Sequence, residues 1–163
     1  MLLRVEARLP DLGALDVLHP GSPVGAPAQG FDTPLVENPD ALARLFLAEG
    51  GNAWIGGDLE IFGTNGAEQL TVLFGEASLG PSFNIGNDLL FLEQPGGDFT
   101  AARSGSRALF DSATTDLSVP VGEAGMAVTF ANATATLAYD PMADAILIGT
   151  QTIDTTPMPL TFA

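Results

Sequence analysis

From Asn52 onward, apolar side chains alternate with polar ones at a period of two, and no other feature narrows the possible folds as far. Leu59-x-Ile61, Leu70-x-Val72-x-Phe74, Leu117-x-Val119-x-Val121, Met126-x-Val128-x-Phe130, Leu137-x-Tyr139 and Ile146-x-Ile148 each put every second side chain on one face. That is the pattern of a strand with one buried side. Leu89 to Leu92 is apolar throughout and predicts a strand buried on both faces. Gly or Pro recurs roughly every 8–12 residues, the spacing of a sandwich, a barrel or a β-solenoid. The predicted fold class is mostly β: a β-sandwich or a β-solenoid-like stack with one short N-terminal helix. Phe130-Ala-Asn132-Ala-Thr-Ala-Thr-Leu137 predicts a hairpin turning near Asn132. It therefore favours antiparallel pairing in the second half and puts the sandwich slightly ahead.

Before Asn52 the pattern changes. Residues 1–37 read as an irregular Pro/Gly-rich arm, with Pro20, Pro23, Pro27 and Pro34 holding Leu18 to Leu35 extended. Residues 38–50 predict a short helix. Asn38 suits the N-cap, Pro39 the first helical position and Asp40 the positive end of the dipole. Leu42, Leu45, Phe46 and Glu49 follow helical spacing, and Gly50 supplies the stop. Residues 51–163 then form the β domain.

A short frame recurs inside that domain. Gly63-Thr-Asn65-Gly66-Ala-Glu68-Gln-Leu70-Thr and Phe83-Asn84-Ile-Gly86-Asn87-Asp88-Leu-Leu90-Phe share Gly at the fourth place, an acid at the sixth and Leu at the eighth. Gly56-Gly57-Asp58 repeats the Gly-x-acid core. Gly, Asn and Asp are also the residues that tight turns favour for backbone geometry alone, so ion ligands and plain turn residues are both open readings of the frame.

Composition decides what the chain can meet. Forty-six per cent of residues are hydrophobic, mean hydropathy is +0.28, and only 15% are charged, against about 25% in typical soluble domains. Such a chain has little polar surface for water, which predicts that other protein covers part of its exterior and that it forms a homo-oligomer. Twenty acids oppose five arginines, with no lysine and a net charge of −15. This field excludes nucleic acid and anionic membrane surfaces as partners and suits divalent cations. The chain has no cysteine, so disulfides, thiolate metal sites and a Cys nucleophile are excluded.

Catalysis finds no support. His19 is the only histidine and lies in the Pro/Gly-rich arm, so a Ser–His–Asp triad would have to recruit it from there. No G-x-S-x-G, P-loop or G-x-G-x-x-G occurs. Trp54 and Tyr139 are the only aromatics besides ten Phe. Trp54, between Ala53 and Ile55, reads as a core or interface residue rather than a platform for sugar.

The frame resembles a degenerate form of the calcium-binding nonapeptide of RTX-type β-rolls. Phe83-Asn-Ile-Gly-Asn-Asp-Leu, Phe99-Thr-Ala-Ala-Arg-Ser-Gly-Ser, Val119-Pro-Val-Gly, Val128-Thr-Phe and Ile148-Gly-Thr-Gln-Thr-Ile are similar to the β-rich modules beside RTX repeats in exported alphaproteobacterial surface proteins. The resemblance spans about two-thirds of the chain. It implies an extracellular or cell-surface location and a calcium-assisted fold. Its offsets of 10 and 20 residues, not multiples of nine, exclude a regular ladder of ions. Isolated sites would draw on Asp58, Asn65, Glu68, Asn84, Asn87 and Asp88, whose hard oxygens suit calcium and not zinc. The expected function is structural: a secreted or surface protein, calcium-stabilised, that self-associates into a filament or lattice, and not an enzyme. The alternative is an extracellular module that binds a ligand or a surface glycan.

Overall fold

The computed structural model describes residues 43–162, within the unit Pro39–Ala163. They are mostly β: thirteen strands in one hydrogen-bonded sheet that nearly closes on itself like a barrel, with two short 3-10 turns at Pro81–Asn84 and Gly96–Asp98. The strands are β1 (Ala43–Phe46), β2 (Asn52–Gly56), β3 (Leu59–Phe62), β4 (Gln69–Leu79), β5 (Leu89–Leu92), β6 (Thr100–Ser104) and β7 (Arg107–Asp111). They continue as β8 (Thr115–Pro120), β9 (Met126–Thr129), β10 (Thr134–Asp140), β11 (Ala145–Ile148), β12 (Gln151–Ile153) and β13 (Met158–Pro159).

The first half pairs in parallel. Ala43 lies beside Leu59, Leu59 beside Ala77 and Ala77 beside Leu117, which joins β1, β3, the end of β4 and β8. Asn52 lies beside Gln69, Gln69 beside Leu89 and Leu89 beside Ala127, which joins β2, the start of β4, β5 and β9. The chain thus passes alternately between two sheet halves and returns in register. The returns are 16 and 18 residues long in one half (43 to 59, 59 to 77) and 17 and 20 in the other (52 to 69, 69 to 89). The long β4 belongs to both halves. Its partners change near Gly75, whose φ of +99° only glycine adopts cheaply.

The second half is antiparallel. The β6–β7 hairpin pairs with β8, and β9 to β12 form a meander in which β9 and β10 turn at Ala131–Asn132. The hairpin predicted near Asn132 is present, with Phe130 N–H donating to Ala133 O at 2.7 Å. Across the remaining gap Arg103 N–H donates to Asp154 O at 2.6 Å, and the Arg103 guanidinium pairs with Asp144 at 3.0 Å.

The alternating apolar positions fill one core. Ile61, Leu70, Leu90, Phe110, Leu117, Val128, Leu137 and Ile146 are all but sealed from solvent, and each such side chain contributes about 1.5–3 kcal/mol through burial. Leu89–Leu92 departs from its expectation. Leu90 and Leu92 point into the core while Leu89 and Phe91 are half-buried on the outer face, because the sheet there is covered on one side only.

The short N-terminal helix is not found. Ala43–Phe46 is a strand paired with β3, with Phe46 stacked on Phe62 at 5.0 Å. Residues 38–42 of that expected helix, and the 1–37 arm with His19, lie outside the described residues. Helical spacing lost here because β3 offers Ala43–Phe46 a strand edge in register, and tertiary pairing outweighs a weak local propensity. The expected stop survives as a turn: Gly50 has φ +70°, and Gly51 N–H donates to Ala48 O at 2.8 Å. Trp54 is not a core residue either, since it lies 59% exposed on the outer face of β2.

Candidate functional site

The two complete copies of the recurring frame lie one above the other. Leu70 pairs with Leu90 across β4 and β5, so the 20-residue offset is one return of the chain. The loops before those strands stack as well. A Cβ on Gly86 (φ +105°) would come within 2.0 Å of Gly66 O, so the frame's central glycines must be in contact. Glycine is required there both by the backbone angle and by that approach.

Both acids of the frame point inward. Glu68 is fully buried and Asp88 is 3% exposed. Glu68 N–H donates to Asp88 Oδ1 at 2.9 Å, and Leu89 N–H donates to Glu68 O at 2.9 Å. Thr64 Oγ1 donates to Glu68 Oε1. The other carboxylate oxygen, Glu68 Oε2, is buried without a hydrogen-bond partner. It lies against Gly63, where a Cβ would come to 2.9 Å from it. Desolvation, with the Glu68 carboxyl alongside, pushes the Asp88 pKa up to about 6. An orphaned carboxylate oxygen beside a second carboxylate is a costly arrangement, and a proton or a hard cation relieves it.

The six residues singled out in the sequence divide between the two edges of the sheet. Asn65, Glu68, Asn84, Asn87 and Asp88 all belong to the loops preceding β4 and β5. Within that group only Glu68 and Asp88 are buried; Asn65 and Asn87 are exposed and Asn84 is half-buried. Asp58 does not join them. It follows β2 at the opposite edge, where its Oδ1 accepts Glu76 N–H at 3.1 Å in an exposed turn. That turn repeats the stacking: a Cβ on Gly75 would meet Gly57 O at 2.4 Å.

Two participants were missed in the sequence. Thr64 holds Glu68 Oε1, and Gly63 leaves room for Oε2. Thr64 stands four residues before Glu68, but a threonine in a polar loop carries no signal of its own.

Among the described residues no group of three or more His, Cys, Asp or Glu side chains comes together as a metal cluster. A cation here would use the two carboxylates with amide, backbone or water oxygens completing its shell. The orphaned Glu68 Oε2 and the all-oxygen donor set fit a hard ion such as calcium, which takes about 6–8 oxygen ligands. A scan against protein-family models, a search of curated proteins and a search of solved structures each return no match.

Proposed function

We propose that the protein is a secreted or cell-surface structural module of a bacterium, a short β-solenoid-like stack clasped by calcium at one loop edge, that self-associates. One observation carries the clasp: Glu68 Oε2 is buried and unpartnered, on a residue whose backbone N–H is held by the buried Asp88 carboxyl at 2.9 Å. Returns of 16–20 residues bracket twice the nine-residue frame, which supports the resemblance to β-roll modules. The exterior location rests on that resemblance and on the acidic charge.

Self-association draws on the open end of the parallel stack. Among the described residues β1 pairs only with β3, and β2 only with β4. Each leaves an edge of backbone groups that another strand can extend. The far end is capped, since β8 and β9 are followed by antiparallel β7 and β10. Pairing through the open edge alone therefore closes a dimer, and a filament or lattice needs a second contact.

Sedimentation of the full chain with calcium and with chelator tests both parts. The reading expects an assembled species that is more heat-stable in calcium. A monomer under both conditions, with no thermal shift, overturns it.

A further inference from the structure

Strand register lines up a row of side chains across the outer face of the sheet half built from β2, β4, β5, β9 and β10. Trp54 lies beside Thr71, Thr71 beside Phe91, Phe91 beside Thr129 and Thr129 beside Thr134. Thr134 Oγ1 donates to Thr129 Oγ1 at 3.2 Å, so these side chains share the face. A second row runs parallel to it: Asn52, Gln69, Leu89, Ala127 and Thr136.

Neither row holds a charged residue, in a chain with twenty acids and five arginines. The outer face of the other half differs. There Arg44 pairs with Glu60, and Glu76, Asp116 and Asp111 stand side by side. Absence of charge is thus a property of these two rows. At their far end Thr134 and Thr136 enter an open groove of about 590 Å³ with Gly149, Thr150, Thr161 and Phe162, again uncharged.

We propose that this face binds a neutral, extended polysaccharide lying across the strands. An aromatic ring offers an apolar plane to the C–H face of a sugar, and hydroxyl and amide groups beside it exchange hydrogen bonds with its ring hydroxyls. Trp54 and Phe91 stand two strands apart, about 9.5 Å, close to the two-residue repeat of an extended β-linked glucan. Thr71 between them and Thr129 and Thr134 beyond supply the hydroxyls. A glycan bearing carboxylates or sulfates would be repelled by the net charge of −15, so the ligand is neutral. The inference does not depend on the acid pair, which lies in the loops and not on this face.

Trp54 is the only tryptophan, so its emission reports occupancy directly. The full chain is titrated with cello-oligosaccharides and run through gels containing a neutral β-glucan or an anionic polyuronate. A saturable emission shift and retardation by the neutral glucan alone are expected. Trp54→Ala and Thr134→Asp should each melt like the parent and weaken retardation about tenfold, with Trp54→Phe recovering part of it. No shift, or equal retardation by the anionic polymer, overturns the proposal. So does an emission change with protein concentration alone, which would assign the face to a second copy. Shielding of Trp54 from acrylamide in the dilute full chain would assign it to the chain's own residues and overturn it equally.

Discussion

Asp88 Oδ1 accepts the backbone N–H of Glu68 at 2.9 Å, so the acid of one frame caps the acid of the other across a full return of the chain. The bond ties the loops before β4 and β5 together. It also brings two carboxyl groups into a space where neither is well solvated.

Stability should therefore depend on the protonation of Asp88. Its pKa rises from 3.8 to about 6 on folding, chiefly through desolvation. The folded state then binds this proton more tightly than the unfolded chain. The contribution is complete below about 3.8, declines as pH rises and is gone above about 6. Asp88→Asn keeps an oxygen for Glu68 N–H and removes the titration. Urea unfolding in chelator across pH 4–7 should show the parent losing this increment and the variant not, since mutual repulsion among the remaining acids is common to both. Curves of the same slope would refute the assignment.

Gly86→Ala should destabilise by about 2–4 kcal/mol, since the new Cβ meets Gly66 O at 2.0 Å with φ at +105°. Gly97→Ala is the control. Nothing lies within 4 Å of its Cβ position and its backbone is ordinary, so its melting temperature should stay within about a degree or rise slightly. Equal effects would mean that the loop stack is looser than described.

Arg107 joins three strands without a carboxylate. Its Nε donates to Ser118 Oγ at 2.6 Å, and its Nη2 donates to Leu79 O at 2.8 Å and Ser118 O at 2.9 Å. Burial lowers its pKa, yet the guanidinium keeps its charge at any working pH. Lysine lacks the planar fork that serves Ser118 Oγ from Nε while Nη2 serves the two carbonyls. Arg107→Lys should cost about 1–3 kcal/mol by denaturant unfolding, much as Arg107→Met should. Full rescue by lysine would show that charge alone matters.

Period-two alternation located the strands because each inward residue had to be apolar, as Leu70, Val72, Leu117, Val119, Ile146 and Ile148 are. It could not reveal pairing direction, which depends on which distant strand lies alongside. The parallel returns were visible only as the 20-residue offset between Gly66 and Gly86. Ala43–Phe46 carries helical spacing, a local signal, while the partner that makes it a strand, Leu59–Phe62, is distant in sequence. An apolar neighbour on either side of Trp54 does not say which face it takes. Within the acid frame, residue type singles out Glu68 and Asp88, which lie together, and Asp58, which lies at the opposite edge, because Gly-x-acid recurs at both edges of the sheet.

The most direct test of the clasp is calorimetric titration of calcium into the full chain at pH 7.5 and pH 5, paired with melting in calcium and in chelator. The account predicts saturable binding at pH 7.5 and a higher melting temperature, worth about 2.7 kcal/mol at a hundredfold excess over Kd. It predicts weaker binding at pH 5, where the ion must displace the Asp88 proton, and none in Asp88→Asn. No heat and no thermal shift at low ionic strength, or an undiminished response in Asp88→Asn, would contradict it.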